Sequence, residues 1–150
     1  MKLYAIIAFV LGFIMAVLAF NPSWSQYADT SNEYLLYLCL GAIVMAFMKR
    51  GQKFDEITAV MFIMVGVFSV NSENKTIEIL HLIFTGLAII SAYVSLIANQ
   101  TDPMMIKSSY VALGTALVLF LGGYFFSWYA VAIAELLVSV PLLIPFYKKA

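Results

Sequence analysis

Charge is scarce in this chain of 150 residues: Asp, Glu, Lys and Arg make up only 11% of it, and the formal net charge is zero. Soluble domains carry roughly a quarter charged residues. Hydrophobic residues reach 64% and the mean hydropathy is +0.99. A soluble fold of this length would leave much of that apolar surface in water, so we expect a lipid bilayer as its solvent. Zero net charge speaks against a nucleic-acid partner.

Cysteine and histidine occur once each, as Cys39 and His81. These counts exclude an intrachain disulfide, a Cys/His zinc site and bis-histidine haem ligation within one chain. The phosphate-binding loop, the nucleophile elbow and the H-E-x-x-H motif are missing too. We therefore predict no cofactor, assign no catalytic residue and lean away from an enzyme.

Long apolar windows dominate what remains. The sequence predicts an all-α, polytopic integral membrane protein, a compact six-helix transmembrane bundle with short loops that forms one domain over residues 1–150. The second and third windows, with 15 and 14 residues, are short against the roughly 17–25 that a spanning helix needs. We expect their charged ends to snorkel and Asp55 to cap the third helix; a re-entrant hairpin from Tyr34 to Val70 is the alternative. The windows are Leu3–Phe20, Tyr34–Met48, Ile57–Val70, Ile79–Ala98, Ser108–Phe126 and Trp128–Tyr147.

The basic residues predict the orientation of this bundle. With six spans and a cytoplasmic N-terminus, Lys75 is the one base outside, and both termini are cytoplasmic, as the positive-inside rule favours. In a bacterium this membrane is the inner one. Residues 1–20 also resemble a secretory signal, with Lys2 and a small-residue site at Ala19, but the apolar run is long for a signal and we keep it as the first span. The bases inside are Lys2, Lys49, Arg50, Lys53, Lys107, Lys148 and Lys149.

One face of the fourth window carries small and polar residues at steps of three and four. The rest of that window is bulky and apolar, including Leu80, Ile83, Leu87, Ile90, Val94 and Ile97. Small residues let transmembrane helices approach closely, so we predict that this face packs inward and the bulky face meets lipid. We call the small and polar face the α4 seam: Glu78, His81, Thr85, Ala88, Ala92, Ser95 and Asn99.

Glu135 is the strongest functional candidate, because it is the one acid inside an apolar window. It lies about 10 Å from the outer end of that window at helical rise. A carboxylate at such a depth is costly unless it is neutral, paired or near water. The hypotheses are a proton relay, a cation site or a substrate anchor; the alternative is a neutral hydrogen-bond partner between helices.

Glu78 and His81 share a helical face near the same outer end, where Tyr34 and Tyr37 join a group of aromatic residues. Glu-x-x-His occurs twice in di-iron carboxylate bundles, but here it occurs once, so a metal at Glu78 and His81 is not our expectation. We predict an outer-leaflet candidate site of Glu135, His81, Glu78, Tyr34 and Tyr37, with an interfacial aromatic belt as the alternative for the tyrosines. We expect Asn99 and Asp102 to end the fourth helix and form the next turn.

Three functions fit this pattern. The first is a small transporter or channel-like protein that uses Glu135 as a titratable group. The second is a non-catalytic accessory or assembly subunit of a larger membrane complex. The third is a membrane enzyme that acts on lipid or a metal centre. The partners predicted are the lipid bilayer and either a second copy of the chain or that larger complex.

The orientation is testable by cysteine labelling in a Cys39→Ala background. Single cysteines at positions 28 and 74 should react with an impermeant maleimide added outside, whereas a cysteine at 149 should not. Reaction of position 149 from outside would contradict the orientation.

Overall fold

Five α-helices make up most of the computed structural model, which describes residues 2–17, 33–68 and 74–125 together with Leu137 and Leu142. These residues contain no β-strand, so the all-α prediction is confirmed for them. Most of the sixth predicted window lies outside the described residues; Leu137 and Leu142 within it are helical. The helices are α1 (Lys2–Val17), α2 (Glu33–Arg50), α3 (Asp55–Val67), α4 (Lys75–Asn99) and α5 (Pro103–Phe125).

The first four helices pack as antiparallel neighbours in chain order. The Cys39 thiol of α2 donates to the Ala8 carbonyl oxygen of α1 at 3.3 Å. Phe47 of α2 stacks on Phe62 of α3, with ring centroids 6.2 Å apart. Rings of Phe68 and Phe84 stack at 5.3 Å between the end of α3 and α4. The helices therefore form a bundle in which successive turns lie at alternate ends.

Two helix starts follow local capping chemistry. The Asn74 side chain accepts from the Thr76 backbone N–H at 2.9 Å, which satisfies a donor at the start of α4. Pro103 opens α5, where its missing N–H costs nothing. Asp102 accepts from the Met104 N–H at 2.9 Å. Asp102 thus caps the start of α5, in addition to the turn predicted for it.

The turn between α2 and α3 needs two left-handed residues. Gly51, at φ +61°, follows the last residue of α2, where glycine adopts this conformation without steric cost. Phe54, at φ 71°, precedes α3 and makes no side-chain cap. A left-handed bulky residue costs roughly 1–3 kcal/mol, so contacts around the turn must hold it.

Burial in this bundle favours small and polar side chains. His81, Ala88, Ala92 and Ser95 of the α4 seam are buried, as predicted. Of the bulky residues expected to face outward, four are exposed, but Leu80 and Ile97 are half-buried, and the bulky Tyr93 and Leu96 are buried beside the seam. Ala5, Ala8, Ala59 and Ser109 extend the pattern to the other helices. The exposed side chains of α4 are Ile79, Leu82, Ile83, Leu87, Ile90 and Val94.

Judged by length and hydropathy, α4 is the one helix in the described ranges that is long and apolar enough to cross a membrane. It has 25 residues. In α1 the apolar helical stretch Lys2–Met15 is shorter than α4. Helix α3 has 13 residues, so it is about 20 Å long against a hydrocarbon core of about 30 Å. The six-span prediction is therefore unconfirmed, and the re-entrant alternative for α2 and α3 stays open.

The close packing of the seam predicts a large penalty for added volume. Ala92 is fully buried, and Ala92→Leu should lower the free energy of unfolding by about 1–3 kcal/mol through overpacking. Leu87→Ala, at an exposed position, should have a smaller effect. Unfolding in mixed SDS micelles measures both; equal losses would mean that the seam does not pack inward.

Candidate functional site

A buried ion pair joins the two ends of the α2–α3 turn. Arg50 Nε donates to Asp55 Oδ2 at 2.8 Å, and Arg50 Nη2 donates to Asp55 Oδ1 at 2.5 Å. The side chains are 5% and 0% exposed. Such a two-bond fork is the geometry in which a guanidinium binds a carboxylate best. The turn therefore closes on a desolvated pair.

Two further donors complete the carboxylate of Asp55. The Ser95 hydroxyl of α4 donates to Oδ1 at 2.5 Å, and the Gln52 backbone N–H donates to Oδ2 at 2.9 Å. Ser95 Oγ also accepts from Arg50 Nη2 at 2.6 Å. Each carboxylate oxygen thus has two donors, which offsets the cost of burying the charge. We call Arg50, Asp55 and Ser95 the charge cluster; it connects α2, α3 and α4.

Asn99 fastens the end of α4 to the same turn. Its Nδ2 donates to the Lys53 carbonyl oxygen at 3.0 Å and to the Ser95 carbonyl oxygen at 2.7 Å. The second bond lies within the last turn of α4. Asn99 is the last residue of α4, with Gln100 instead of Asn99 at the cap position, and its side chain ties this helix to the α2–α3 turn.

The sequence predictions for this turn need correction. Asp55 was expected to cap α3, but it is the first helical residue and Phe54 occupies the cap position without a side-chain bond. Arg50 was counted only among the bases that set the orientation, but its side chain is buried in the charge cluster. Ser95 was expected only to let helices approach. An Arg and an Asp on either side of a short Gly-containing turn were the signal that could have indicated the pair.

At the opposite end of the bundle, His81 binds backbone rather than another candidate residue. His81 is 2% exposed, and its Nδ1 lies 2.7 Å from the Phe68 carbonyl oxygen at the end of α3. A carbonyl oxygen only accepts, so Nδ1 carries the proton. In a neutral ring with this tautomer, the lone pair lies on Nε2, where it can accept a proton or bind a ligand.

Thr85 lies one turn further along the α4 seam. Its Oγ1 is buried and is the one buried side-chain oxygen or nitrogen without a hydrogen-bond partner in the described part of the chain. A buried unpaired hydroxyl costs about 1–3 kcal/mol. The α4 seam thus carries a hydroxyl without a hydrogen-bond partner one helical turn after His81.

The other predicted site residues do not join His81 in the described part of the chain. Glu78 is exposed and makes no hydrogen bond to His81 there. Tyr34 and Tyr37 are 54% and 45% exposed on α2. A Cβ on Gly66 of α3 would lie 4.0 Å from the Tyr37 ring, so Tyr37 lies on the side of α2 nearest α3. Glu135 lies outside the described residues.

Metal ligands do not gather in the described ranges: no group of three or more His, Cys, Asp or Glu side chains could hold an ion there. The chain matches no protein-family model, no curated protein and no solved structure at a significant level. The chemistry of its own residues is therefore the basis for any proposal about function.

The described geometry separates two polar regions. The charge cluster is saturated with internal bonds, which suits an anchor that fixes three helices. The segment His81–Thr85 retains acceptor and donor capacity on a buried face, which suits exchange of a proton or binding of a polar group.

Breaking the ion pair should be costly, because the remaining charge is left buried. Asp55→Asn should lower the free energy of unfolding by roughly 3–5 kcal/mol, while Glu56→Gln at the next, exposed position should have little effect. Unfolding in mixed SDS micelles measures both. Arg50→Met combined with Asp55→Leu should recover most of the loss. If Asp55→Asn matches Glu56→Gln, the charge cluster contributes nothing to stability.

Proposed function

We propose that this chain is a multi-pass membrane protein of six spans, with both termini cytoplasmic, and that it moves a proton or small cation past Glu135. The observation that carries the transport proposal is the packing of Leu142 against α4, described below. The membrane proposal rests on composition and on the inverted distribution of side chains.

That inversion is strongest in α1 and α4. Large aliphatic and aromatic side chains face outward, whereas the buried positions hold mostly alanine, serine and polar groups. A soluble core is built from large apolar residues, and lipid removes that requirement because hydrocarbon solvates the bulky side chains. Exposed examples are Leu3, Val10 and Phe13 of α1, with Ile79, Ile83 and Ile90 of α4.

The antiparallel packing supports the proposed orientation. The start of α1, the α2–α3 turn and the α4–α5 turn lie at one end, which holds every described base except Lys75. We call this the basic end. The positive-inside rule favours a cytoplasmic position for this end. With that orientation, His81 at the other end of α4 would lie in the outer half of the membrane.

The packing of Leu142 supports one register for the sixth predicted span. It packs against one cluster that contains Ala92 and another formed by Tyr93 and Leu96. In a helix parallel to α4, the position seven residues earlier lies about 10 Å closer to the outer end. Residue 135 is therefore expected beside residues 85–89 of α4, level with Thr85.

Helical periodicity also predicts which way Glu135 faces. Seven residues of a continuous helix make nearly two full turns, so in the predicted sixth helix we expect Glu135 to share the face of Leu142, which packs inward. Leu137, two positions after Glu135 and so nearly opposite, is 38% exposed. Both relations support the proposal that the carboxyl group faces the α4 seam, where the Thr85 hydroxyl lacks a partner and the His81 ring is buried.

This arrangement offers a short proton path. In the proposed path a neutral Glu135 would donate a hydrogen bond to Thr85 or to His81, and transfer of its proton to His81 Nε2 would yield an imidazolium that still donates from Nδ1 to the Phe68 carbonyl oxygen. An imidazolium and a carboxylate within a low-dielectric seam stabilise each other. The Glu135 carboxylate is also free to hold a small cation.

The accessory-subunit function remains the second candidate, and one observation favours it. Helix α2 exposes a band of large side chains that includes two tyrosines, and aromatic residues and methionine are enriched where proteins associate. A second copy or a larger complex would bury this band. Its residues are Tyr34, Tyr37, Leu38, Met45 and Met48.

Glu135→Gln tests the transport proposal. The amide has nearly the shape of the protonated acid, so folding should be preserved while pH-driven flux into proteoliposomes is abolished. Glu135→Asp should keep partial flux because it keeps a titratable group. Glu56→Gln, at an exposed position of the basic end, is the matched control and should leave flux unchanged. Wild-type flux and stability in Glu135→Gln would remove the transport proposal and favour the accessory role.

A further inference from the structure

We propose that the basic end binds the phosphate headgroups of anionic phospholipids through a rim of four lysines. The basic rim consists of Lys2, Lys49, Lys53 and Lys107. This inference rests on the membrane orientation proposed above, and it is independent of Glu135 and of transport.

Contacts between helices bring the helix ends that carry these lysines together. The Lys49 ammonium lies 5.0 Å from the centre of the Tyr4 ring, which joins α2 to the start of α1 beside Lys2. The Lys53 ammonium lies 5.2 Å from the centre of the Phe54 ring in the turn. The Lys53 carbonyl accepts from Asn99, which brings the α4–α5 turn next to it. Lys107 lies in the first turns of α5.

The charges of the rim are not cancelled by local carboxylates. Arg50–Asp55 is the one ion pair within 4.0 Å among the described residues. Asp55 is therefore committed to the charge cluster, and Asp102 accepts from the backbone of Met104. Four lysines thus face two further acids at this end, Glu56 and Asp102. The surplus is positive.

Apolar side chains accompany the lysines in the way an interface requires. Three large apolar side chains near these lysines are exposed. Leu3, next to Lys2, is 63% exposed; Met48, next to Lys49, is 53% exposed; and Met104, three residues before Lys107, is 80% exposed. Exposure of these apolar side chains to water would be unfavourable. At a bilayer surface they would enter the acyl region while the lysine stems extend to the headgroups. All four lysines are exposed, so their ammonium groups are accessible to phosphate.

Phosphate on a lipid fits this rim better than phosphate in solution. Each lysine near an anionic surface strengthens binding by about five-fold, and the effect decays within a Debye length. A zwitterionic headgroup carries an opposing ammonium group and gains little. The rim should therefore select phosphatidylglycerol over phosphatidylcholine.

Electron spin resonance of spin-labelled lipids tests this selection. The wild-type protein in phosphatidylcholine vesicles should retain more motionally restricted spin-labelled phosphatidylglycerol than spin-labelled phosphatidylcholine, and the preference should fall with added salt. Lys49→Gln combined with Lys53→Gln should reduce the preference several-fold. Lys75→Gln, at the opposite end, is the matched control and should retain it. Thermal unfolding of each variant should be unchanged, because the side chains are exposed.

The remaining outcomes overturn the inference. Equal retention of the two lipids by the wild type would overturn the inference and would favour an acidic protein surface as the partner of the rim. An equal loss of the phosphatidylglycerol preference in Lys75→Gln would mean that any lysine contributes to it, and that the rim is not the binding site. Displacement by inorganic phosphate at constant ionic strength would indicate a site for the free anion. Flotation with plain phosphatidylcholine vesicles separately tests membrane insertion, so its failure is distinguishable from a lack of lipid preference.

Discussion

The burial of Arg50 and Asp55 constrains the described bundle more than any other interaction. A charge removed from water costs several kcal/mol unless its partner and its hydrogen bonds are in place. Here the partners come from α2, α3 and α4, so the three helix ends have one arrangement that satisfies the pair. The left-handed conformation of Phe54 is held by the same closure. One ionic contact therefore sets the turn and the register of α4.

Away from this cluster, small residues determine the packing. Alanine and serine let the helices approach, and the bulky side chains that a soluble protein would bury remain outside. This division agrees with a bilayer solvent, in which packing and internal hydrogen bonds hold helices together. It also explains why polar groups on the α4 seam matter: in a dry interior, the acceptor of His81 and the hydroxyl of Thr85 have few alternative partners.

The hydrophobic windows predicted the five described helices, because helix formation follows local composition and punctuation. The alternation of small and bulky residues predicted the buried face of α4 for the same reason. The charge cluster was missed because it depends on tertiary contact: Ser95 is 40 residues from Asp55, and no periodic pattern relates them. The candidate site around Glu135 stays a prediction; within the described residues His81 is buried, as the seam implied, and its bond to the Phe68 backbone could not be read from the helical pattern.

The central claim is that hydrocarbon surrounds this bundle, and spin-label accessibility tests it most directly. A nitroxide at Ile90, which is 56% exposed in the middle of α4, should collide often with oxygen and rarely with a polar nickel chelate in vesicles. A nitroxide at Lys75, at the exposed start of α4, should show the reverse. Equal access of the nickel chelate to both positions would contradict the account, because the outward apolar face would then lie in water.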